Sequence, residues 1–349
     1  MKKFRIAYII PSLASTGPVI ALRDIIDTLE SFVDCDIYYF DTSESPINFK
    51  CKTNKISFFS KINEKKYDVI HSHMFRADLY VFIMFLINRK KYKTKFISSC
   101  HNEIEKDLYF LYGKIISKTI SPLWKYILNS FDKVVVNSKI LAKVNLLSNY
   151  VIINYMRNQY ADYLIPNTDE LLISQFIKGK KVIGYVASLT RRKNHHQILR
   201  FLKNNSNYVG LFLGLGEEFS KLQLIIKELK IENQVLFLGY RQDSRPYYKY
   251  FDIYCAPSYS EGFSLSLIDS FSNKVPAVLS KLSIWENLTD KNEIVFFEID
   301  DDNSFSKAIK FTENNGVKLA NNAFEFYIQN FSPEIVSKNY FNLYENDNK

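Results

Sequence analysis

Short apolar runs rich in β-forming residues alternate with stretches of helical spacing along most of the chain. Residues 4–10 form the first run, and residues 19–29 carry apolar positions at helical spacing. Residues 36–40 and 69–71 read as strands, 77–87 as a buried helix, and 95–100 and 133–137 as further strands. The pattern restarts at 181–187 and continues with strands at 209–213, 235–238, 253–256, 277–279 and 294–297. Helices fit between them, among them 218–229 and 265–271. Uniformly apolar runs of this length are what parallel strands covered on both faces look like. Two successive β/α series predict an α/β protein of two Rossmann-like, doubly wound domains. Ile165-Pro-Asn-Thr-Asp169 reads as the linker, so the expected domains are 1–170 and 171–331. The segment 332–349 opens on Ser-Pro-Glu, a helix start. In such folds ligands bind outside the carboxyl ends of the strands, which places the expected site in a central cleft that the two domains face.

Size and composition agree. The chain has 349 residues, 47 % hydrophobic and 24 % charged, enough to bury two cores. The formal charge of +9 suits anionic partners such as nucleotide phosphates or phospholipid headgroups. No RNA-recognition signature, zinc-finger spacing or basic zipper is present, so nucleic acid is not an expected partner. Cys35, Cys51, Cys100 and Cys255 stand far apart without a CxxC pair and read as free thiols of a reducing, cytoplasmic compartment. The opening MKKFRIAYIIPSL reads as a first strand rather than a signal peptide, because Pro11 and polar residues cut its apolar run short. The longest apolar run, 79–87, has nine residues and cannot cross a bilayer.

Four clusters follow expected strands in the second half. Ser188-Leu-Thr-Arg-Arg-Lys-Asn-His195 puts Arg191, Arg192 and Lys193 in a loop entering a helix, where cations and a helix N-terminus can neutralise a diphosphate. Gly214-Leu-Gly216 lets backbone approach a ligand, although it lacks the third glycine of a dinucleotide fingerprint. Gly239-Tyr240-Arg241 can hold a nucleobase by backbone contacts; Tyr247 and Tyr248 beyond it read equally as core. The fourth runs Pro257-Ser-Tyr-Ser-Glu261-Gly262-Phe263-Ser264-Leu265-Ser-Leu-Ile-Asp269, from strand through a Glu-Gly turn into a helix. Backbone N–H groups around Phe263, Ser264 and Leu265 would point at an anion. Glu261 and Asp269 beside that turn suit sugar and ribose hydroxyls.

This second half resembles the family 4 glycosyltransferases, which have the GT-B fold. Glu261-x7-Asp269 is similar to their Glu-x7-Glu element, and Pro257-Ser258, Gly214-x-Gly216, the Lys193 loop and Pro276-Ala-Val-Leu-Ser280 fall in the family's order. In the first half, residues 6–12 with Gly17, Tyr67-Asp-Val-Ile-His-Ser-His73 and Cys100-His-Asn-Glu103 resemble its first strand and glycine loop and its histidine-bearing strand ends. The resemblance implies a retaining, metal-independent transfer of a hexosyl or N-acetylhexosaminyl group from a UDP- or GDP-linked donor to a glycan or lipid-linked acceptor of the bacterial envelope, with no cofactor. It implies that Glu261 and His101 contact the donor sugar, Asp269 the ribose, and Lys193 with Arg192 the diphosphate. Gly17, Ser188, Arg191, Gly214, Gly216, Tyr240 and residues 262–265 would complete the donor site. The terminal helix would pack back on the first domain. Two departures stand out: Ser188 holds the place of the family's usual arginine, and Asp269 is one methylene shorter than its glutamate.

Asp34-Cys-Asp36 and Asp300-Asp-Asp302 could hold a metal by type, but the first abuts an expected strand and the second reads as a helix cap outside the expected site. Residues 107–130 are aromatic and basic and read either as a surface on anionic lipid, making the protein peripheral to the inner membrane face, or as a partly buried helix with a solvated lysine edge. In that stretch Ser121-Pro122 is expected to start a new helix. The alternatives to a transferase are a nucleotide-sugar epimerase and a catalytically impaired sugar-nucleotide-binding protein.

Overall fold

The computed structural model describes residues 3–44, 46–154, 165–261, 264–286, 288 and 292–345. Its strands are β1 (Phe4–Ser12), β2 (Val33–Asp41), β3 (Lys52–Lys55), β4 (Val69–His73), β5 (Lys95–Ser99), β6 (Lys133–Val136), β7 (Tyr150–Ile152), β8 (Lys181–Val186), β9 (Tyr208–Leu213), β10 (Val235–Gly239), β11 (Ile253–Ala256), β12 (Ala277–Ser280) and β13 (Ile294–Phe297). Its α-helices are α1 (Gly17–Leu29), α2 (Phe75–Met84), α3 (Ile104–Leu128), α4 (Lys139–Val144), α5 (Asn167–Ile177), α6 (His195–Lys203), α7 (Phe219–Leu229), α8 (Leu265–Ser272), α9 (Ser283–Glu286), α10 (Asp302–Asn330) and α11 (Pro333–Glu345).

The chain divides into two compact units, Met1–Arg157 with Phe331–Lys349, and Asn158–Asn330. The first carries a parallel sheet in the order β3-β2-β1-β4-β5-β6-β7, the second a parallel sheet in the order β10-β9-β8-β11-β12-β13. In both, the order reverses beside the first strand of the unit, between β1 and β4 and between β8 and β11. Each unit is thus a Rossmann-like α/β domain with its own switch point.

Alternation along β1 shows how the first sheet is covered. Ile6, Tyr8 and Ile10 pack with Leu22 and Ile25 of α1 and Val336, Tyr340 and Tyr344 of α11. Ala7 and Ile9 join the core on the opposite face, with Tyr80 of α2, Ile127 of α3 and Leu141 of α4. The terminal helix therefore belongs to the first unit, as a second cover beside α1. Lys95 Nζ donates to the carbonyl of Leu343 at 2.7 Å.

Three local readings change. The expected linker 165–169 runs into the first turn of α5, where Asp169 accepts from Nε and Nη2 of Arg241 at 2.6 and 2.9 Å and from the Tyr247 hydroxyl at 2.5 Å. Strands β3 and β7 escape the hydrophobic pattern because Lys-Thr-Asn-Lys is polar throughout and β7 is three residues long; backbone pairing to β2 and β6 makes them strands. The break near Pro122 is absent. Pro122 lies inside α3, and the non-helical residue is Gly113, at φ 82° and ψ 177°.

Candidate active site

The second unit's switch point is built from the loops that leave β8 and β11. After β8 the chain makes a short 3-10 turn, Arg191–Lys193, and Asn194 in the left-handed region (φ 48°) feeds α6. After β11 the chain passes Ser258 and Tyr259 to Glu261. The Tyr259 N–H donates to the Arg192 carbonyl at 2.9 Å, which joins the two loops by backbone.

Glu261 is the centre of the group. Its side chain is 4 % exposed, and it accepts from Lys193 Nζ at 2.5 Å, Arg192 Nη1 at 3.2 Å and Ser258 Oγ at 2.7 Å. Burial pushes its carboxyl up, but Lys193, Arg192 and these hydrogen bonds outweigh that and hold it below its ordinary value. Arg192 also donates to the Ser260 carbonyl at 2.5 Å. Ser258 is fixed in turn by the buried Tyr185 hydroxyl at 2.9 Å. Two cations against one carboxylate leave one net positive charge in a largely buried group of side chains. Such a group can orient hydroxyls through Glu261 while attracting an anion through Lys193 and Arg192.

The glycines have a packing reason of their own. A Cβ on Gly214 would stand 2.0 Å from the Ala187 carbonyl oxygen, and one on Gly216 2.3 Å from that of Leu189. The Gly214 N–H donates to the Gly239 carbonyl at 2.8 Å, Leu189 N–H to Leu215 O at 3.0 Å and Glu218 N–H to Leu189 O at 3.0 Å. Close backbone approach is thus real, and here it stitches three β-to-α loops together. Ser188, exposed, sits in the stitched segment, and Tyr240 is exposed beyond β10. Arg191 is exposed.

Ser264 caps α8, its Oγ accepting from the Leu267 N–H at 3.2 Å, and Ser266 Oγ donates to the carbonyl of Val186 at 2.8 Å. That bond holds the first turn of α8, with Leu265, against the end of β8. Asp269 is buried in α8. Gly262 and Phe263 lie outside the described residues.

One expectation is corrected. Asp300-Asp-Asp302 does not stand apart from these loops. Asp300 accepts from the Tyr259 hydroxyl at 2.9 and 3.0 Å and from Asn194 Nδ2 at 3.4 Å, so it braces both loops from behind. Asp301 does cap α10, accepting from the N–H groups of Asn303 and Ser304. The error came from distance in sequence: about a hundred residues separate Asn194 from Asp300, and only the β13–α10 connection brings them together. Of the residues that complete the group, Ser258 and Asp300 lie in motifs that the sequence shows, Pro257-Ser258 and Asp300-Asp-Asp302, whereas Tyr185 lies inside an ordinary apolar strand without a signal. Among the described residues no group of three His, Cys, Asp or Glu side chains is arranged to hold a metal.

His101 and Gly17 belong to the first unit. His73 Nδ1 and His101 Nε2 are 2.9 Å apart, and His71 bonds Ser99 Oγ through Nε2 at 2.9 Å and the Tyr344 hydroxyl through Nδ1 at 3.0 Å. The three rings stack at centroid distances of 4.7 and 5.1 Å. Burial lowers His71 and His101 to about 3 and His73 well below its ordinary value, so all three are neutral. His73 Nε2 is buried without a hydrogen-bond partner. Gly17 opens α1, and a Cβ there would meet nothing within 4 Å.

Comparison with known proteins identifies the family and the fold. Residues 168–326 match the family described as Glycosyl transferases group 1, and residues 51–145 match Glycosyltransferase Family 4. The chain is 27 % identical to the O-antigen biosynthesis glycosyltransferase WclY of Escherichia coli over 98 % of each chain. It is also 27 % identical to an N-acetylgalactosamine-N,N'-diacetylbacillosaminyl-diphospho-undecaprenol 4-alpha-N-acetylgalactosaminyltransferase of Campylobacter jejuni, over 42 % of this chain and 41 % of that one. The crystal structure of Anabaena HepE in complex with UDP and glucose superposes with a TM-score of 0.83 at 16 % identity, covering 99 % of this chain and 100 % of that one. With two Rossmann-like units of the GT-B type and both family signatures in place, this protein is a glycosyltransferase of the family 4 type.

Proposed function

We propose that the second unit binds a UDP- or GDP-linked sugar and that the protein transfers the hexosyl or N-acetylhexosaminyl group, with retention, to a glycan or lipid-linked acceptor bound by the first unit. The observation that carries this reading is the buried Glu261–Lys193–Arg192 group at the β8/β11 switch point. The bond from the anomeric carbon to the β-phosphate oxygen breaks, and its electron pair stays on that oxygen. Lys193, Arg192 and the first turn of α8 offset the charge that develops there, one well-placed donor being worth about 3–4 kcal/mol in a dry site. Glu261 holds sugar hydroxyls. The acceptor oxygen bonds the anomeric carbon, and its proton passes to the departing phosphate. Asp269 reaches the ribose, and His101 contacts the donor sugar. The reading needs no metal, since Lys193 and Arg192 do a metal's electrostatic work.

The relatives support it in kind. One is named for O-antigen synthesis, one for an undecaprenol-linked acceptor, and HepE was solved with UDP and glucose. These names favour an envelope glycan as acceptor and association with the inner membrane face.

The test is a thermal-shift panel of UDP, GDP and their sugar conjugates with EDTA present, followed by transfer assays on the stabilising donor. A ligand at a hundred times its Kd adds about 2.7 kcal/mol of stability. One base series should stabilise wild type, less so Lys193→Ala, and NMR of the product should show the donor's anomeric configuration. No shift with any nucleotide, strict dependence on a divalent ion, or an inverted product would overturn the corresponding part.

A further inference from the structure

Residues 108–131 contain no acidic side chain, and their cations are Lys114, Lys118 and Lys125. In a continuous helix residues 105 and 117 would stand about 18 Å apart. Instead Ser117 Oγ donates to the Glu105 carbonyl at 2.6 Å, and Lys125 Nζ lies 4.0 Å from the Glu105 carboxylate. The chain therefore folds back at Gly113, and α3 is a helical hairpin.

Its base is anchored. Trp124 Nε1 donates to the buried Asp78 at 2.8 Å, the Ile104 N–H donates to Asn145 Oδ1 at 3.0 Å, and Ile104, Leu108, Ile127 and Leu128 are in the core. The tip is bare. Tyr109, Phe110, Leu111, Tyr112, Ile115 and Ile116 are all exposed there, from 39 % for Ile116 to 81 % for Ile115. A Cβ on Gly113 would meet nothing within 4 Å, which marks a convex knob rather than a groove. Lys114 and Lys118 are exposed on the second arm, while Lys125 is turned in towards Glu105.

We propose that this hairpin tip is a membrane anchor that inserts its aromatic and aliphatic side chains into the interface of an anionic bilayer, with Lys114 and Lys118 on the headgroups. An aromatic and aliphatic tip with cations and no acids complements that surface and no other common one. A second copy is a poor occupant, because a twofold contact sets Lys114 and Lys118 against their own like charges with no acid to pair them. The choice of a bilayer deepens, and rests for its purpose on, the reading of a membrane-side acceptor.

The test is co-sedimentation with phosphatidylglycerol–phosphatidylethanolamine vesicles and with pure phosphatidylcholine vesicles, without donor or acceptor. Wild type should partition at least twentyfold more strongly to the anionic vesicles. Each lysine near such a surface contributes about fivefold, so Lys114→Gln with Lys118→Gln should remove about 25-fold from anionic binding alone. Leu111→Asp with Ile115→Asp should remove at least tenfold from both. The thermal shift given by the stabilising nucleotide should be unchanged in both variants; a missing shift in wild type would sink the donor reading and leave the anchor standing. Equal sedimentation of all three proteins overturns the anchor. So does a wild-type dimer in vesicle-free equilibrium sedimentation that the Leu111→Asp/Ile115→Asp pair dissolves.

Discussion

Both units gather polar groups on strands beside the switch point, the first on β4 and β5 and the second after β8 and β11, yet they build them from opposite materials. At the end of β4 and β5, the first unit stacks three neutral histidines, tied to Ser99 and Tyr344. At the ends of β8 and β11, the second unit buries a carboxylate between two cations. Both obey one rule: a group removed from water must be neutral or paired. Neutral imidazoles, each with one donor and one acceptor, match hydroxyl-rich ligands; a net-positive ion group matches a diphosphate. The contrast shows that one architecture can carry two groups of different charge.

The comparison can be broken most sharply at Glu261. Glu261→Gln should cut transfer 100- to 1000-fold while circular dichroism stays native, and the Lys193→Ala/Glu261→Gln double variant should lose far less than the product of the two single losses. Multiplicative losses would mean that the two side chains do not act as one group.

Glycine makes the next test. Gly214→Ala should cost about 2–4 kcal/mol of unfolding free energy, since its φ of 140° and the Ala187 carbonyl both oppose a side chain. Gly17→Ala should change stability by less than about 0.5 kcal/mol, because nothing lies near its Cβ. Urea melts of each variant measure both values, and a tolerated Gly214→Ala would refute the stitched-loop account.

Acid should separate the units. The folded-state pKa values of His71, His73 and His101 are depressed, so below about pH 6.5 the unfolded chain takes up protons that the folded unit does not. Stability of the first unit therefore falls as pH drops from about 6.5 towards 3. Asp78, raised to about 6 by burial against the bonds from Ser72, Ser98 and Trp124, acts in the other direction. Three histidines, two held near 3, outweigh that one carboxyl. The second unit carries one such histidine, His195, lowered to about 3 by burial, against three in the first, so its loss over that range is smaller; the depressed Glu261 adds stability that is lost only as pH falls below the ordinary carboxylate range. Trp124 lies in the first unit and Trp285 in the second, and the chain has two tryptophans, so single-Trp variants report each unit in turn. Loss of the Trp285 signal before that of Trp124 on acidification would contradict the assignment.

A smaller effect than at Gly214 is expected at the terminal helix. Tyr344→Phe removes the partner of His71 Nδ1 and one hydrogen bond to Tyr8, and should cost about 1–2 kcal/mol in the first unit alone. An equal loss in the second unit would mean that α11 does not act where it packs.

Much of this was legible in the residues. The apolar runs at β1, β4, β8 and β11 announce buried parallel strands because both faces of such strands must be covered. The cations at 191–193 and the Glu261 turn, which the structure brings into contact, were readable as a group because loops that leave strand ends carry local motifs. Strand β3 was not, since Lys-Thr-Asn-Lys owes its conformation to backbone pairing with β2, which has no side-chain signature.

What the sequence by itself determined is the set of local facts: element types, their alternation, and which residues carry charge at loop starts. Tertiary structure alone decided which of those charges meet. It turned Lys193 onto Glu261, brought Asp300 behind Asn194, placed Tyr344 on His71, and folded α3 back at Gly113. Each of these joins positions far apart in the chain or depends on a single backbone angle, and periodicity over a few residues carries no information about either.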